Sequence, residues 1–148
     1  QMKENGLFEA ITYKINEGCP VMGTCAGLIL LSKEISNQPV QTLGVMDIRV
    51  KRNAYGRQLD SFSTMASIKK ISEIPLELVF IRAPYIEEVG KDVEVLCVVD
   101  NHIVVAQQNN CLALAFHPEL SGIDVIHQYF IDTMIKKESQ PHGSVSNP

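Results

Sequence analysis

An α/β domain is what this sequence predicts, and three stretches carry the prediction. The first, residues 19–31 (Cys-Pro-Val-Met-Gly-Thr-Cys-Ala-Gly-Leu-Ile-Leu-Leu), runs from a short apolar segment through a Gly-x-Cys-x-Gly turn into an apolar helix. The second, Leu112 to Phe116, is an apolar strand that releases His117-Pro118-Glu119 at its carboxyl end. The third is a final helix in which Ile123, Ile126, Phe130 and Met134 share one face. Open α/β sheets bind ligands beyond the carboxyl ends of their strands, so a Cys, a His and a Glu delivered there are placed for chemistry.

Taken in order, Leu7, Phe8, Ile11 and Ile15 recur at helical spacing and Gly18 supplies the stop, which predicts a surface helix packed on a sheet. Residues 19–24 read as a buried strand, and Ala26 to Ile35 as the helix that follows the turn. Gln38-Pro39 breaks the pattern, and Leu43 to Val50 forms the next strand. The polar turn after it, residues 51–58, is dense in Arg, Asn, Tyr and Gln and suits recognition, although a basic turn between strands is also an ordinary solvated loop. Residues 62–71 are mixed and Pro75 interrupts them. Leu78 to Ile81 is a short apolar strand ending at Arg82-Ala83-Pro84. Residues 93–99 and Ile103 to Gln107 make a hairpin around Asp100-Asn101, and Asn109-Asn110 turns the chain into the strand before His117. Ser121 with Asp124 resembles a capping arrangement for the last helix, and Lys136-Lys137 suit its C-terminus. Residues 139–148 carry no apolar periodicity and read as a flexible tail, leaving residues 1–138 as one domain.

The bulk composition sets limits. A chain of 148 residues with 45% hydrophobic and 20% charged residues can bury a core without disulfides, and no apolar run approaches a membrane span. The net charge of −4 gives no positive field for nucleic acid or anionic lipid. Cys19, Cys25, Cys97 and Cys111 lack metal-ligand spacing and these residues contain no secretory-signal pattern, so a reducing, cytoplasmic setting is expected.

Two readings of Cys25 stand side by side: a small buried Cys in a tight turn, or a nucleophile on an elbow like the Gly-x-Ser-x-Gly of serine hydrolases. In the second, the helix N-terminus is expected to stabilise the thiolate and lower its pKa. A thiol nucleophile needs a base, and His117, held by Glu119 across Pro118, meets that need better than His102, His127 or His142.

Gly23-Thr24-Cys25-Ala26-Gly27 with Leu28-Ile29-Leu30, together with Phe116-His117-Pro118-Glu119-Leu120, resembles the class I (triad) glutamine amidotransferases. Residues 52–62 (Arg-Asn-Ala-Tyr-Gly-Arg-Gln-Leu-Asp-Ser-Phe) and 80–84 (Phe-Ile-Arg-Ala-Pro) resemble, within that group, the glutaminase subunits of pyridoxal 5'-phosphate synthases. The resemblance implies a three-layer flavodoxin-like fold with a central, mostly parallel sheet and helices on both faces. It implies Cys25 as nucleophile, His117 as acid-base residue, Glu119 as its orienting carboxylate, Arg52, Ile81 and Arg82 as holders of L-glutamine, and the Ala26 N–H as an oxyanion donor. No metal or cofactor is implied at the thiol; pyridoxal phosphate is the product of the assembly with a synthase subunit that receives the ammonia. Members of the family begin with additional strands and a Pro-Gly-Gly-Glu-Ser-type loop that do not occur in these residues, so the domain is expected to lack its N-terminal segment, and a polypeptide of these 148 residues alone is expected to be unstable and nearly inactive. The competing readings are a class I glutaminase serving another synthase, a catalytically silent partner of the same fold, and a γ-glutamyl peptidase of related fold.

Overall fold

The computed structural model describes residues 2–36, 41–52, 61–121 and 124–135. The chain begins with helix α1 (Met2–Asn16), which Gly18 terminates in a left-handed conformation, φ 108°, that suits a residue without a Cβ. The sheet strands β1 (Val21–Thr24) and β9 (Cys111–Leu114) run parallel, Thr24 opposite Leu114. Asn110 ties this pair to α1 by donating from Nδ2 to the carbonyls of Ile15, at 2.9 Å, and Cys19, at 2.5 Å.

Helix α2 (Ala26–Leu31) follows β1 and is shorter than the sequence predicts. Ser32 leaves it with φ −68° and ψ 161°, and Ser32–Ile35 becomes β2, parallel to β3 (Met46–Lys51). The apolar run of residues 28–31 suits a helix and a buried strand equally, so periodicity does not reveal where one gives way to the other. Pairing decides it: Glu34 lies opposite Arg49 and Ile35 opposite Val50.

A two-stranded antiparallel sheet comes next, β4 (Ser61–Ile68) with β5 (Ser72–Ile81). Pro75 does not interrupt it. It lies within β5 at the register shift between the Ala66–Leu76 and Ile68–Ser72 pairs, where a residue without an N–H is tolerated. Strands β6 (Tyr85–Val89), which the sequence reading leaves unassigned, β7 (Glu94–Val99) and β8 (His102–Gln108) complete the main sheet. Asp100 and Asn101 both take positive φ, 53° and 68°, as a tight hairpin turn requires.

The sheet is mixed rather than mostly parallel: β1–β9 and β2–β3 are parallel, and β3–β6, β6–β8, β7–β8 and β8–β9 are antiparallel. Turns too short for a crossover force the antiparallel pairs β7–β8 and β8–β9, and β6 adds the other two. β7 lines one edge of β8, so β9 and β6 share the other, β9 opposite residues 105–108 and β6 opposite Ile103. β1 beside β9 and β3 beside β6 therefore run toward each other and end at the seam where β9 leaves and β6 starts. The core beneath includes Leu28, Leu31, Met46, Leu78, Phe80, Leu112, Leu114 and Phe116, all almost fully buried. Each contributes roughly 1.5–3 kcal/mol relative to exposure.

After a 3-10 turn at Pro118–Leu120, helix α3 (Val125–Tyr129) passes into a π-helical turn at Phe130–Ile135. The anticipated capping pair is not formed. Asp124 occupies the N-cap without a side-chain bond, and Ser121 donates instead to the Pro118 carbonyl at 3.0 Å. Of the expected apolar face, Ile126 and Met134 are buried and Phe130 packs partly against the core, while Ile123, Lys136-Lys137 and the 139–148 tail lie outside the described residues.

Candidate active site

Cys25 sits between β1 and α2 with φ 52° and ψ −106°, a conformation costly for a residue with a Cβ and characteristic of a sharp strand-to-helix elbow. Gly23 makes the elbow possible. A Cβ there would stand 2.6 Å from the Gly27 carbonyl oxygen, 2.7 Å from its carbon and 2.8 Å from Leu31 Cδ1. Gly27 is different, since a Cβ on it would meet nothing within 4 Å.

The Cys25 N–H donates to the Leu114 carbonyl at 2.9 Å, and its thiol lies 3.3 Å from the Ala115 carbonyl, which accepts from it. The nucleophile candidate is thus fixed to the exit of β9, two residues before His117. Its thiol is not poised as a thiolate. Burial first, and the Glu119 charge second, push it from an ordinary 9.0 up to about 11, the reverse of the lowering expected from the helix N-terminus. A helix of six residues, Ala26–Leu31, brings a weaker field than a long one, and desolvation outweighs it here.

His117 leaves the main sheet. Ala115 N–H still bonds to Val104 of β8 at 2.8 Å, but His117 N–H crosses to the Val79 carbonyl of β5 at 2.9 Å. Its Nδ1 faces Glu119 Oε2 at 3.0 Å. The Glu119 carboxyl is held below the usual range by its own backbone N–H, then by His117, with His127 of α3 adding to the field. Ala26, exposed, occupies the first position of α2, where helix amides have no acceptor within the helix.

Ile81 and Arg82 lie two and three residues beyond Val79, whose carbonyl holds the His117 N–H. Ile81 is 39% exposed at the end of β5, and Arg82 turns the chain with φ 47°. Arg52 leaves β3 just past Lys51, which pairs with Tyr85 at the start of β6, so it emerges at the same seam as Cys25 from the opposite direction. Residues 53–60, which take in the polar turn past Arg52, lie outside the described residues. What the sequence did not reveal are the backbone groups: the Val79 and Ala115 carbonyls carry no side-chain signature. Nor did it reveal the ring series in which Phe62 stacks on Phe80 at 4.7 Å and Phe80 meets Phe116 edge-on at 5.7 Å. Among the described residues, no group of three or more His, Cys, Asp or Glu could hold a metal ion, and no helix is long and apolar enough to cross a membrane.

The SNO glutamine amidotransferase family matches residues 1–136. The chain belongs to that family. Among curated proteins, this glutamine amidotransferase is 52% identical over 130 residues to the pyridoxal 5'-phosphate synthase subunit PdxT of Fervidobacterium nodosum, covering 88% of the chain and 68% of the relative. It is 51% identical over 139 residues to the protein of the same description from Streptococcus pneumoniae, covering 94% and 70%. A solved structure described as a glutamine amidotransferase superposes with a TM-score of 0.82 at 39% identity, covering 88% of this chain and 69% of the other. The three-layer flavodoxin-like fold expected of class I amidotransferases is therefore the fold of this chain, with the mixed sheet described above.

Proposed function

We infer that this glutamine amidotransferase is the glutaminase subunit of a pyridoxal 5'-phosphate synthase: it hydrolyses L-glutamine to L-glutamate and ammonia, and the ammonia passes to a synthase subunit that builds the vitamin. The observation that carries the chemistry is the register of β1 and β9, which releases Cys25 and the His117–Glu119 pair from the ends of adjacent parallel strands.

In this reading the resting Cys25 is a thiol bonded to the Ala115 carbonyl, and it exchanges that bond for one to the His117 imidazole when glutamine fills the site. Glu119 holds the ring through Nδ1, leaving Nε2 as the base, and its negative charge favours the imidazolium that forms. The thiolate adds to the side-chain amide carbon. The Ala26 N–H donates to the developing oxyanion. His117 then returns its proton to the departing ammonia, which leaves a glutamyl thioester on Cys25. The same imidazole activates the water that releases glutamate. Arg52 and Arg82 suit the α-carboxylate of an amino acid through charge-assisted hydrogen bonds, and Ile81 walls the space beside it. Four free cysteines suit a reducing cytoplasm.

Glutamate release by the full-length protein with its synthase subunit tests this reading, with Cys25→Ser beside it. Turnover that vanishes in the variant and falls when the synthase subunit is withheld is expected. Turnover surviving in Cys25→Ser, or no hydrolysis by the complete assembly, overturns it.

A further inference from the structure

We propose that Phe80 is a positioning residue for glutamine hydrolysis: its ring sets how strand β5 holds both His117 and the Ile81–Arg82 strand end relative to Cys25. The proposal rests on the glutaminase reading above and adds to it a residue whose side chain has no polar atom.

The two halves of the reacting pair are anchored on different sheets. Cys25 is fastened to the main sheet, through its N–H on the Leu114 carbonyl at 2.9 Å. His117 is fastened to the two-stranded sheet, through its N–H on the Val79 carbonyl at 2.9 Å. Between Leu114 and His117 the chain changes partners, and the sulfur-to-imidazole spacing therefore depends on how the β4–β5 hairpin is seated. A single backbone hydrogen bond leaves rotation and slip about itself. Packing must remove that freedom.

Phe80 is placed to do so. It follows Val79 directly, precedes Ile81 and Arg82 directly, and is fully buried. One edge contact joins it to Phe116, the residue before His117, with centroids 5.7 Å apart and planes at 68°. One face contact joins it to Phe62 of β4, with centroids 4.7 Å apart and planes at 8°. The ring series thus links β4, the strand end that carries Ile81 and Arg82, and the residue before the proposed base, and aromatic pairs of this kind fix angle as well as distance. An aliphatic side chain of similar volume would fill the space without fixing the angle.

The experiment uses the full-length protein with its synthase subunit and compares Phe80→Leu with Met46→Val, a buried substitution on β3 outside the ring series. Three readouts are taken: the melting temperature, kcat and KM for glutamine hydrolysis, and the pH dependence of Cys25 alkylation by iodoacetamide. Phe80→Leu is expected to lower kcat/KM about tenfold or more, with kcat falling and KM rising together, because one ring positions both the base and the substrate contacts. It is also expected to shift the pH profile of alkylation, which reports coupling of the sulfur to the imidazole without glutamine. Met46→Val is expected to lose melting temperature while keeping kcat/KM within twofold and the alkylation profile unchanged. Should Phe80→Leu not fold, Phe62→Leu, at the half-buried end of the series, is expected to show the same paired change at about threefold. Wild-type kinetics in the folded ring variant, or equal losses in Phe80→Leu and Met46→Val, overturn the proposal. A wild-type assembly that hydrolyses no glutamine overturns the glutaminase reading instead, and the alkylation profile still decides whether Phe80 sets the sulfur–imidazole relation.

Discussion

Replacing Gly23 by Ala adds one methyl group behind the nucleophile. That carbon would lie 2.6 Å from the Gly27 carbonyl oxygen, 2.7 Å from the Gly27 carbonyl carbon and 2.8 Å from Leu31 Cδ1, all well inside ordinary contact. Two of the three neighbours are backbone of the first turn of α2, so a side-chain rotation cannot relieve them. The elbow itself must open. Overpacking of this sort costs about 1–3 kcal/mol, which for a chain of this size lowers the melting temperature by about 2–12 °C. The displacement passes straight to Cys25, two residues on, and a shift of about 1 Å at a reacting atom costs about 10²-fold in rate. Gly27→Ala is the contrast, because nothing lies within 4 Å of its new carbon and it sits in helix α2. It is expected to hold or raise the melting temperature, since Ala favours a helix over Gly by about 1 kcal/mol. Differential scanning calorimetry and a glutamate-release assay on both variants decide the matter. A Gly23→Ala protein with wild-type melting and turnover, or one no less stable than Gly27→Ala, refutes the account of the elbow.

Other predictions concern charge and strain. The Cys25 and Cys111 thiols, each pushed up to about 11 by burial, bind their protons more tightly in the folded chain than in the unfolded one. Stability is therefore fully present below about pH 9 and declines as pH rises toward 11, and Cys111→Ala should flatten part of that decline in a series of alkaline melts. Glu119→Gln should leave the melting temperature at pH 7 little changed, because the carboxyl is largely exposed, yet lower kcat about 10²-fold or more by releasing the imidazole; steady-state kinetics check both parts. Arg82→Gly relieves a positive φ of 47° while adding freedom to the unfolded chain, so stability should change by less than about 1 kcal/mol as KM for glutamine rises at least tenfold.

The elements legible in the sequence are those whose signal is local. Gly18 ends α1, Asp100-Asn101 turns β7 into β8, and the Gly-x-Cys-x-Gly elbow stands between strand and helix as its pattern requires. Pro75 and Ser32–Ile35 misled for a common reason. A proline is tolerated in a strand where the partner bulges, and a run of four residues becomes a strand when a neighbour offers it a register; both facts belong to the partner strand and not to the segment. The mixed sheet follows similarly from β6, whose Tyr-Ile-Glu-Glu-Val alternates too weakly to announce itself and which pairs antiparallel on both sides. At the candidate site, the residues with distinctive chemistry could be named from sequence, whereas the Val79 and Ala115 carbonyls and the Phe80 ring make their contacts through position alone. The helix amides beside Cys25 are visible in the motif, whereas the burial that pushes its thiol up is imposed only by the assembled core.

The most direct test is to mix the complete assembly with glutamine, quench with acid during turnover, and map covalent adducts by mass spectrometry. A glutamyl group on the peptide bearing Cys25, absent in Cys25→Ser, is the predicted result. Rapid glutamate release with the sulfur at position 25 unmodified at every quench time, and undiminished release in Cys25→Ser, would contradict the account.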